Sequence, residues 1–181
     1  MSTYHHGDLR PALLRAAAKI LEKEGTGALS LRDLARRAGV SHNAPYRHFP
    51  DRDALLAALA GEGFELLGRQ LDGKPGGEMA VAYVRFALDH PQRFRLMFGG
   101  RLPHERHPEL RQHAQAMHLK AEEAFSGHDS ETKFAAAAAW SLVHGLAHLL
   151  LDGHFAEVQE EIFVKKTLGA VRFAVGPQRS V

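Results

Sequence analysis

The segment from residue 41 to residue 52 carries side chains suited to hydrogen bonding with planar partners. Asn43 and Arg47 each present paired hydrogen-bonding groups, which fit the edges of adenine and guanine respectively. His42 and Ala44 lie beside them in the sequence. The chemistry indicated is non-covalent recognition of nucleic-acid bases, provided that the four side chains face a groove.

Two short helical patterns joined by a tight turn would position these residues. Ser30 is suited to cap a helix, and Asp33, three residues later, resembles its partner in a capping box. Gly39 supplies a permissive backbone at the end of this helix, and Ser41 can cap the next one. This layout is typical of a helix-turn-helix, although an ordinary corner of an all-α protein has the same pattern. One face of the first helix is apolar, with Leu31, Leu34, Ala35 and Ala38.

Three consecutive motifs, which include this pattern, resemble those of a known protein family. The run Leu31-x-x-Leu34-Ala35-x-x-Ala38-Gly39-Val40-Ser41 is followed by Tyr46-x-His48-Phe49 and by Asp51-x-Asp53-Ala54-Leu55-Leu56. Together they resemble the N-terminal DNA-binding domain of the TetR/AcrR family of transcriptional regulators. Farther along, Trp140-x-x-x-His144-Gly145 resembles the C-terminal signature of one TetR subfamily.

The resemblance implies an all-α homodimer that binds a palindromic operator, as a repressor, and releases it when a small molecule enters the C-terminal domain. We therefore expect a three-helix DNA-binding domain in residues 1–52 and a helical effector-binding and dimerisation domain in residues 53–181, with about nine helices in all. The last two helices are expected to form the dimer interface. The expected partners are double-stranded DNA, a largely apolar effector and a second copy of the chain.

The candidate contacts to DNA divide into two groups. His42, Asn43, Ala44 and Arg47 are predicted to face the bases, and Phe49 to pack in the domain core. The predicted phosphate contacts and neighbouring polar residues are Ser30, Arg32, Ser41, Tyr46, His48 and Arg52.

Pro45 departs from the pattern of many relatives, which carry an aliphatic residue there. Proline lacks an N–H group and disfavours helical angles at the preceding residue. The recognition helix, predicted over His42 to His48, should therefore begin late or be tightened, with Ala44 displaced from helical angles.

Charge is distributed unevenly along the chain. Residues 1–52 contain nine Lys or Arg and five Asp or Glu, a net charge of +4, and the remaining residues contain fourteen and sixteen, a net charge of −2. A basic head suits contact with phosphates. There is no cysteine, which excludes disulfides and thiolate chemistry. The polar N-terminus does not resemble a secretory signal, and the apolar run Phe134 to Leu151 is interpreted as a buried helix and not as a membrane span, so a cytoplasmic protein is predicted.

Helical periodicity continues to the C-terminus. Helices are predicted over Leu9 to Glu24, after Pro50 to about Leu71, over about 78–89, from Pro91, over about 108–125, over about 131–152 and over about 157–175. Gly61 and Gly63 weaken the middle of the helix that follows Pro50, which fits either a hinge or the close approach of another helix.

Aromatic residues and methionines of the C-terminal part could line a lipophilic effector pocket, with His144 as its polar contact. Ordinary core packing is the alternative interpretation of the same residues. The predicted lining is Phe64, Phe86, Phe94, Met97, Phe98, Met117, Trp140 and His144.

Histidine spacing raises the possibility of a metal site. His144 and His148 are one helical turn apart, but a zinc protease requires Glu where Gly145 stands. No clear carboxylate completes a tetrahedral set with the other histidines, which include His104, His107, His113 and His118. We predict no metal and no cofactor, and keep a metal-sensing regulator as the alternative.

Motifs of enzymes are also missing from the sequence. The segment 72–77, DGKPGG, lacks the spacing and the following Ser or Thr of a phosphate-binding loop. Nothing marks a nucleophilic triad. The protein is predicted not to be an enzyme, and a helical enzyme or interaction module is the less supported alternative.

Overall fold

The computed structural model describes residues 9–123, 132–155 and 160–170. These residues form eight α-helices and no β-strand, which confirms the predicted all-α class. The helices are α1 (Leu9–Glu24), α2 (Leu31–Arg37), α3 (Arg52–Leu71), α4 (Gly76–Asp89), α5 (Pro91–Phe98), α6 (Pro108–Glu123), α7 (Thr132–Leu151) and α8 (Glu160–Ala170). Single turns of 3-10 helix lie at Thr26–Ala28, Pro45–Arg47 and His104–Arg106.

The predicted helix positions agree closely with the structure, with one exception. The helix predicted over His42 to His48 is replaced by turns and the short 3-10 helix Pro45–Arg47. Parts of the last three predicted helices, at 124–125, 131, 157–159 and 171–175, lie outside the described residues.

Helix α1 forms the centre of the N-terminal core. Leu13, Leu14, Ala17, Ile20 and Leu21 are buried at helical spacing, and Ala16 beside them is half-buried. The helix packs against α2 and α5. On the α5 side, Arg93 Nε lies 3.5 Å from Glu22 Oε1.

Two glycines in α3 allow the side chains of neighbouring helices to approach its backbone. A Cβ atom at Gly63 would lie 2.6 Å from Met97 Sδ, and one at Gly61 would lie 3.0 Å from the His113 ring. The close-approach interpretation therefore accounts for both positions. At Gly68, in the same helix, the nearest atom would be Lys120 Nζ at 3.9 Å.

Helix α7 is apolar on more than one face. Its segment Phe134–Leu151 is long and apolar enough to cross a membrane, with a mean hydropathy of 1.6, although core helices of soluble proteins meet the same criterion. Only 28% of that segment is buried within the chain, so the predicted burial is incomplete. Phe134 is 75% exposed and Leu149 is 43% exposed.

The chain divides into two compact units, and each combines two separate stretches. The first unit contains Met1–Glu65 and His90–Ala114, and the second contains Leu66–Asp89 and Gln115–Val181. Residues 53–65 of α3 and all of α5 belong to the same unit as residues 1–52.

Candidate functional site

The turn after α2 is built as the sequence predicts. Ser30 Oγ accepts a hydrogen bond from the Asp33 N–H at 3.1 Å, which caps the start of α2. At the other end, the Gly39 N–H donates to Arg36 O and the Val40 N–H donates to Ala35 O. This pair of bonds is a Schellman motif, and it requires the left-handed backbone that Gly39 adopts at φ 66°.

The segment after this turn is a series of tight turns. The Ala44 N–H donates to Ser41 O at 2.9 Å, and the Arg47 N–H donates to Ala44 O at 3.3 Å. The displaced and tightened start expected from Pro45 is thus observed, but the expectation for Ala44 was wrong, because it keeps helical angles of φ −61° and ψ −44°. Pro45 is accommodated at the first position of the 3-10 helix, where no N–H is needed.

Most of the predicted DNA-contact residues are exposed together on this segment and on α2. Tyr46 is 48% exposed, whereas Ala44 and His48 are half-buried and Phe49 is buried. The burial of Phe49 agrees with its predicted place in the core. The remaining exposed members are Ser30, Arg32, Ser41, His42, Asn43, Arg47 and, at the start of α3, Arg52.

Arg52 has a structural contact that sequence analysis did not foresee. Its Nε donates to Leu29 O at 2.8 Å, and its Nη2 donates to Thr26 O at 2.5 Å. These two carbonyl groups belong to the connection between α1 and α2. Arg52 therefore ties the start of α3 to that connection, in addition to its predicted contact with phosphate.

Ion pairs neutralise part of the basic charge of the N-terminal helices. Arg37 pairs with Glu24 at 2.8 Å and with Asp33 at 2.5 Å, and Arg36 pairs with Asp33 at 2.6 Å. Hydrogen bonds from Arg36 and then Arg37 lower the pKa of Asp33, and the hydrogen bond from Arg37 lowers the pKa of Glu24. Among the described residues, Arg32 and Arg47 form neither an ion pair nor a hydrogen bond. These two guanidinium groups are therefore available to an external anion or base.

Half of the predicted effector-pocket residues lie in the first unit. The Phe98 ring lies 5.3 Å from that of Phe64 and 4.8 Å from that of Phe94, between centroids. Phe64, Phe94 and Met97 are buried, so packing within this unit already accounts for their apolar character.

The other half lies in the second unit, where it includes a hydrogen-bonded cluster. Trp140 Nε1–H donates to the Tyr83 hydroxyl oxygen at 3.1 Å, and that hydroxyl lies 2.9 Å from His144 Nδ1. Burial raises the pKa of Tyr83. Burial, and to a lesser degree the nearby charge of His148, lowers the pKa of His144. Both shifts favour the uncharged forms of Tyr83 and His144 at physiological pH.

Tyr83 was missed in the sequence analysis, although a signal was present. It lies on α4 in phase with the buried residues Ala80, Val84 and Ala87, so its hydroxyl had to enter the interior of the second unit. A buried phenol requires a hydrogen-bonding partner. The remaining members of the predicted set in this unit are Phe86, which is fully buried, and Met117, which is half-buried.

The histidines of the second unit contact aromatic rings and each other. The His118 ring meets the edge of Trp140 at 4.6 Å between centroids, and the rings of His144 and His148 are also 4.6 Å apart. Across the described ranges, no group of three His, Asp or Glu side chains is arranged to hold a metal ion. A metal-sensing site would need ligands from elsewhere in the chain.

A charged groove also lies in the second unit, and it includes none of the predicted pocket residues. Its volume is about 740 Å³. Val81 and Ala82 supply apolar surface, and the charged lining is Arg69, Asp72, Lys74, Glu78, Arg85, Asp89 and Lys165.

Comparison with known proteins places this geometry in a family. Residues 13–59 match the family described as bacterial regulatory proteins of the tetR family, and residues 77–167 match the tetracyclin repressor-like C-terminal domain. An HTH-type transcriptional repressor of Mycobacterium tuberculosis is 32% identical over 82 residues, which is 45% of this chain and 42% of that relative. The chain thus aligns with less than half the length of this curated relative.

Solved structures share the fold over nearly the whole chain. A protein of unknown function from Rhodococcus sp. RHA1 is 34% identical with a TM-score of 0.78, covering 94% of this chain and 96% of that one. A TetR variant from Acinetobacter baumannii in complex with minocycline is 20% identical with a TM-score of 0.59, covering 93% and 96%. With a helix-turn-helix that exposes the predicted DNA contacts and with both family domains matched, the chain belongs to the TetR family of DNA-binding transcriptional regulators, whose members are not enzymes.

Proposed function

We propose that this protein is a cytoplasmic, ligand-responsive repressor that binds a palindromic operator as a homodimer and releases it when a small molecule binds. The observation that carries the proposal is the exposed segment after α2, where Asn43, Tyr46 and Arg47 project from turns anchored by the buried Pro45 and Phe49. The family consists of soluble DNA-binding regulators, which supports a cytoplasmic location.

The proposed DNA contacts are of two kinds, one contributing affinity and the other contributing sequence specificity. Arg32, exposed on α2, would bind a phosphate and contribute affinity regardless of sequence. Arg47 and Asn43 would hydrogen-bond to base edges in the major groove and contribute specificity. The ion pairs of Arg36 and Arg37 leave Arg32 and Arg47 as the cations of this surface that have no partner within the described part of the chain.

A homodimer would cover the exposed apolar surface of α7. Phe134 and Leu149, near opposite ends of this helix, leave large apolar side chains in solvent in the single chain. A two-fold axis beside α7 would bury these side chains against their own copies. Two recognition segments spaced about 34–36 Å apart would then meet successive major grooves of an inverted repeat.

Effector release follows from linkage. A ligand that binds more tightly to the DNA-free arrangement lowers operator affinity by the ratio of its two affinities. A structural relative in complex with minocycline supports a small-molecule effector for this fold. We place the effector against the second-unit members of the predicted set, where the ring of Trp140 and the imidazole of His144 are both partly accessible.

Selection of bound sequences from a random duplex pool tests the proposal. The wild-type protein should enrich an inverted repeat, and its affinity should fall steeply as salt rises. Arg47→Ala should relax the preference at the affected base pair and cost about 1–3 kcal/mol of operator binding, whereas Arg32→Ala should weaken all sequences equally and reduce the salt slope by about one. Enrichment of no sequence, with weak retention at low salt, would overturn the proposal.

A further inference from the structure

Pro45 lies in the segment that is proposed to face DNA, but its side chain has no polar group to offer DNA. It is buried, whereas Asn43, Tyr46 and Arg47 around it are exposed. Proline has no N–H group, so residue 45 cannot donate to Ser41 O as it would in an α-helix. That carbonyl instead accepts from the Ala44 N–H at 2.9 Å, which closes a turn one residue shorter.

The shorter turns continue as far as His48. The Arg47 N–H donates to Ala44 O, and the His48 N–H donates to Pro45 O at 3.0 Å. The Phe49 N–H also donates to Pro45 O, at 2.9 Å, so the chain returns to an α-type turn at Phe49. In a chain of such bonds, side chains three residues apart are stacked above one another. Ser41, Ala44 and Arg47 are linked by two successive bonds of this kind and therefore share one column. Ser41 and Arg47 are exposed and Ala44 is half-buried, whereas Pro45 is buried.

The difference from an α-helix is large on the scale of DNA. Residues three apart are eclipsed at three residues per turn but are rotated by roughly 60° at 3.6 residues per turn. At the outer radius of a helix, about 5–6 Å, this rotation moves a side-chain tip by about 5–6 Å. Successive bases of one strand are about 3.4 Å apart. An α-helical segment would therefore present Arg47 to a different base.

We propose that Pro45 determines which operator sequence is read, by fixing the rotational phase of Arg47, Ala44 and Ser41 without contacting DNA. The inference rests on the proposed function, since it concerns the specificity of the same surface. Pro45 is therefore a positioning residue. A residue with an N–H group at position 45 could donate to Ser41 O and so remove the constraint on the backbone.

Two substitutions restore that N–H group. Pro45→Val nearly preserves the buried apolar volume, and Pro45→Ala provides a second variant if the first disturbs the core. Pro11→Ala is the matched control, because Pro11 is an exposed proline in the first turn of α1 of the same unit. Each variant is carried through selection from a random duplex pool, and its thermal unfolding confirms the fold.

Both position-45 variants should enrich an operator that differs from the wild-type operator near the base pair facing Arg47. Each should prefer its own operator roughly tenfold or more, the usual effect of one mismatched base pair. The salt dependence should be unchanged, because the phosphate contacts are retained. The Pro11→Ala variant should enrich the wild-type operator.

Two results would overturn the inference about Pro45 while leaving the proposed function intact. One is enrichment of the wild-type operator by both folded position-45 variants. The other is loss of even low-salt binding by both, because Pro45 would then maintain the whole surface and not its phase. If the wild-type protein itself enriches no sequence, the proposed function falls and the inference falls with it.

Discussion

The hydroxyl oxygen of Tyr83 lies 2.9 Å from Nδ1 of His144, although the two residues are 61 positions apart in the sequence. The same oxygen accepts the indole N–H of Trp140 at 3.1 Å. In a neutral imidazole protonated on Nε2, Nδ1 is an acceptor and the tyrosine hydroxyl donates to it. This contact joins α4 to α7, and the lowered pKa of His144 favours the neutral imidazole.

Stability should consequently decrease in mild acid. Burial is the main cause that lowers the pKa of His144, and the charge of His148 adds to it. The unfolded chain, with a histidine pKa of about 6.5, then binds more protons than the folded chain between the two pKa values. The contribution of His144 is complete above pH 6.5 and is lost as the pH falls through that window. Urea unfolding from pH 5 to pH 8 measures it.

A substitution isolates the contribution of His144 from those of other histidines. His144→Gln should show a smaller loss of stability in acid than the wild-type protein. His154→Gln, which changes an exposed histidine, should follow the wild-type curve. If the stability of all three proteins depended on pH in the same way, His144 would not be the cause of the loss in acid.

Removal of the Tyr83 hydroxyl should destabilise the second unit. Tyr83→Phe leaves the Trp140 N–H and the His144 Nδ1 without this partner, at a cost of about 1–3 kcal/mol. A double-mutant cycle with Trp140→Phe should give a coupling energy of roughly 0.5 kcal/mol or more. Additive effects of the two substitutions on urea unfolding would show that the hydrogen bond between Trp140 and Tyr83 contributes nothing to stability.

Alanine should have opposite effects at two glycines of α3. At Gly63, a Cβ atom would lie 2.6 Å from Met97 Sδ and 3.1 Å from Arg93 Cγ, so crowding of about 1–3 kcal/mol outweighs the gain in helix propensity. At Gly68, where only Lys120 Nζ lies within 4 Å, the same change should stabilise by up to about 1 kcal/mol. Thermal unfolding compares the two variants. Equal stabilisation by both would contradict the packing at Gly63.

Arg52 and Arg47 should differ in what they support. Arg52→Ala removes two hydrogen bonds to the carbonyls of Thr26 and Leu29, and should lower the free energy of unfolding by about 1–2 kcal/mol. Arg47→Ala should leave that free energy within about 0.5 kcal/mol of the wild-type value, because its side chain is exposed. A wild-type unfolding curve for Arg52→Ala would show that its contacts are not structural.

A charge on the exposed face of α7 should disrupt the proposed dimer. Leu149→Glu would place a carboxylate in an apolar interface, and the protein should sediment as a monomer at concentrations where the wild-type protein is dimeric. Leu119→Glu is the control, since Leu119 is an exposed leucine of α6. A monomeric wild-type protein, or an unchanged dimer in Leu149→Glu, would argue against α7 as the interface.

Local features of the fold were predictable because their causes are local. Ser30 caps α2 as predicted, and the helix predicted after Pro50 begins where the carboxylate of Asp51 accepts the Ala54 N–H at 2.7 Å. Gly39 has the left-handed backbone that ends α2. Pro45 indicated a displaced recognition segment because a missing N–H group can be read directly from the residue type.

Contacts between distant stretches could not be predicted in the same way. The periodicity of apolar residues predicts which residues are buried but not which of them are in contact, so the pairing of Tyr83 with His144 could not be predicted. Arg52 was assigned to phosphate because a basic residue near a recognition helix fits that role, yet its guanidinium also binds two carbonyl groups. For the same reason, the sequence did not show that the predicted pocket residues lie in two separate units.

The discontinuous composition of the two units has a consequence for engineering and for evolution. The stretch Met1–Glu65 forms one compact unit with His90–Ala114, which follows α4 in the chain, so Met1–Glu65 transplanted alone would lack part of its packing. A chimera that exchanges operator preference between relatives would have to carry both stretches together. Recombination with a single crossover in α3 would separate Met1–Glu65 from the His90–Ala114 stretch of the same parent, which belongs to the same unit.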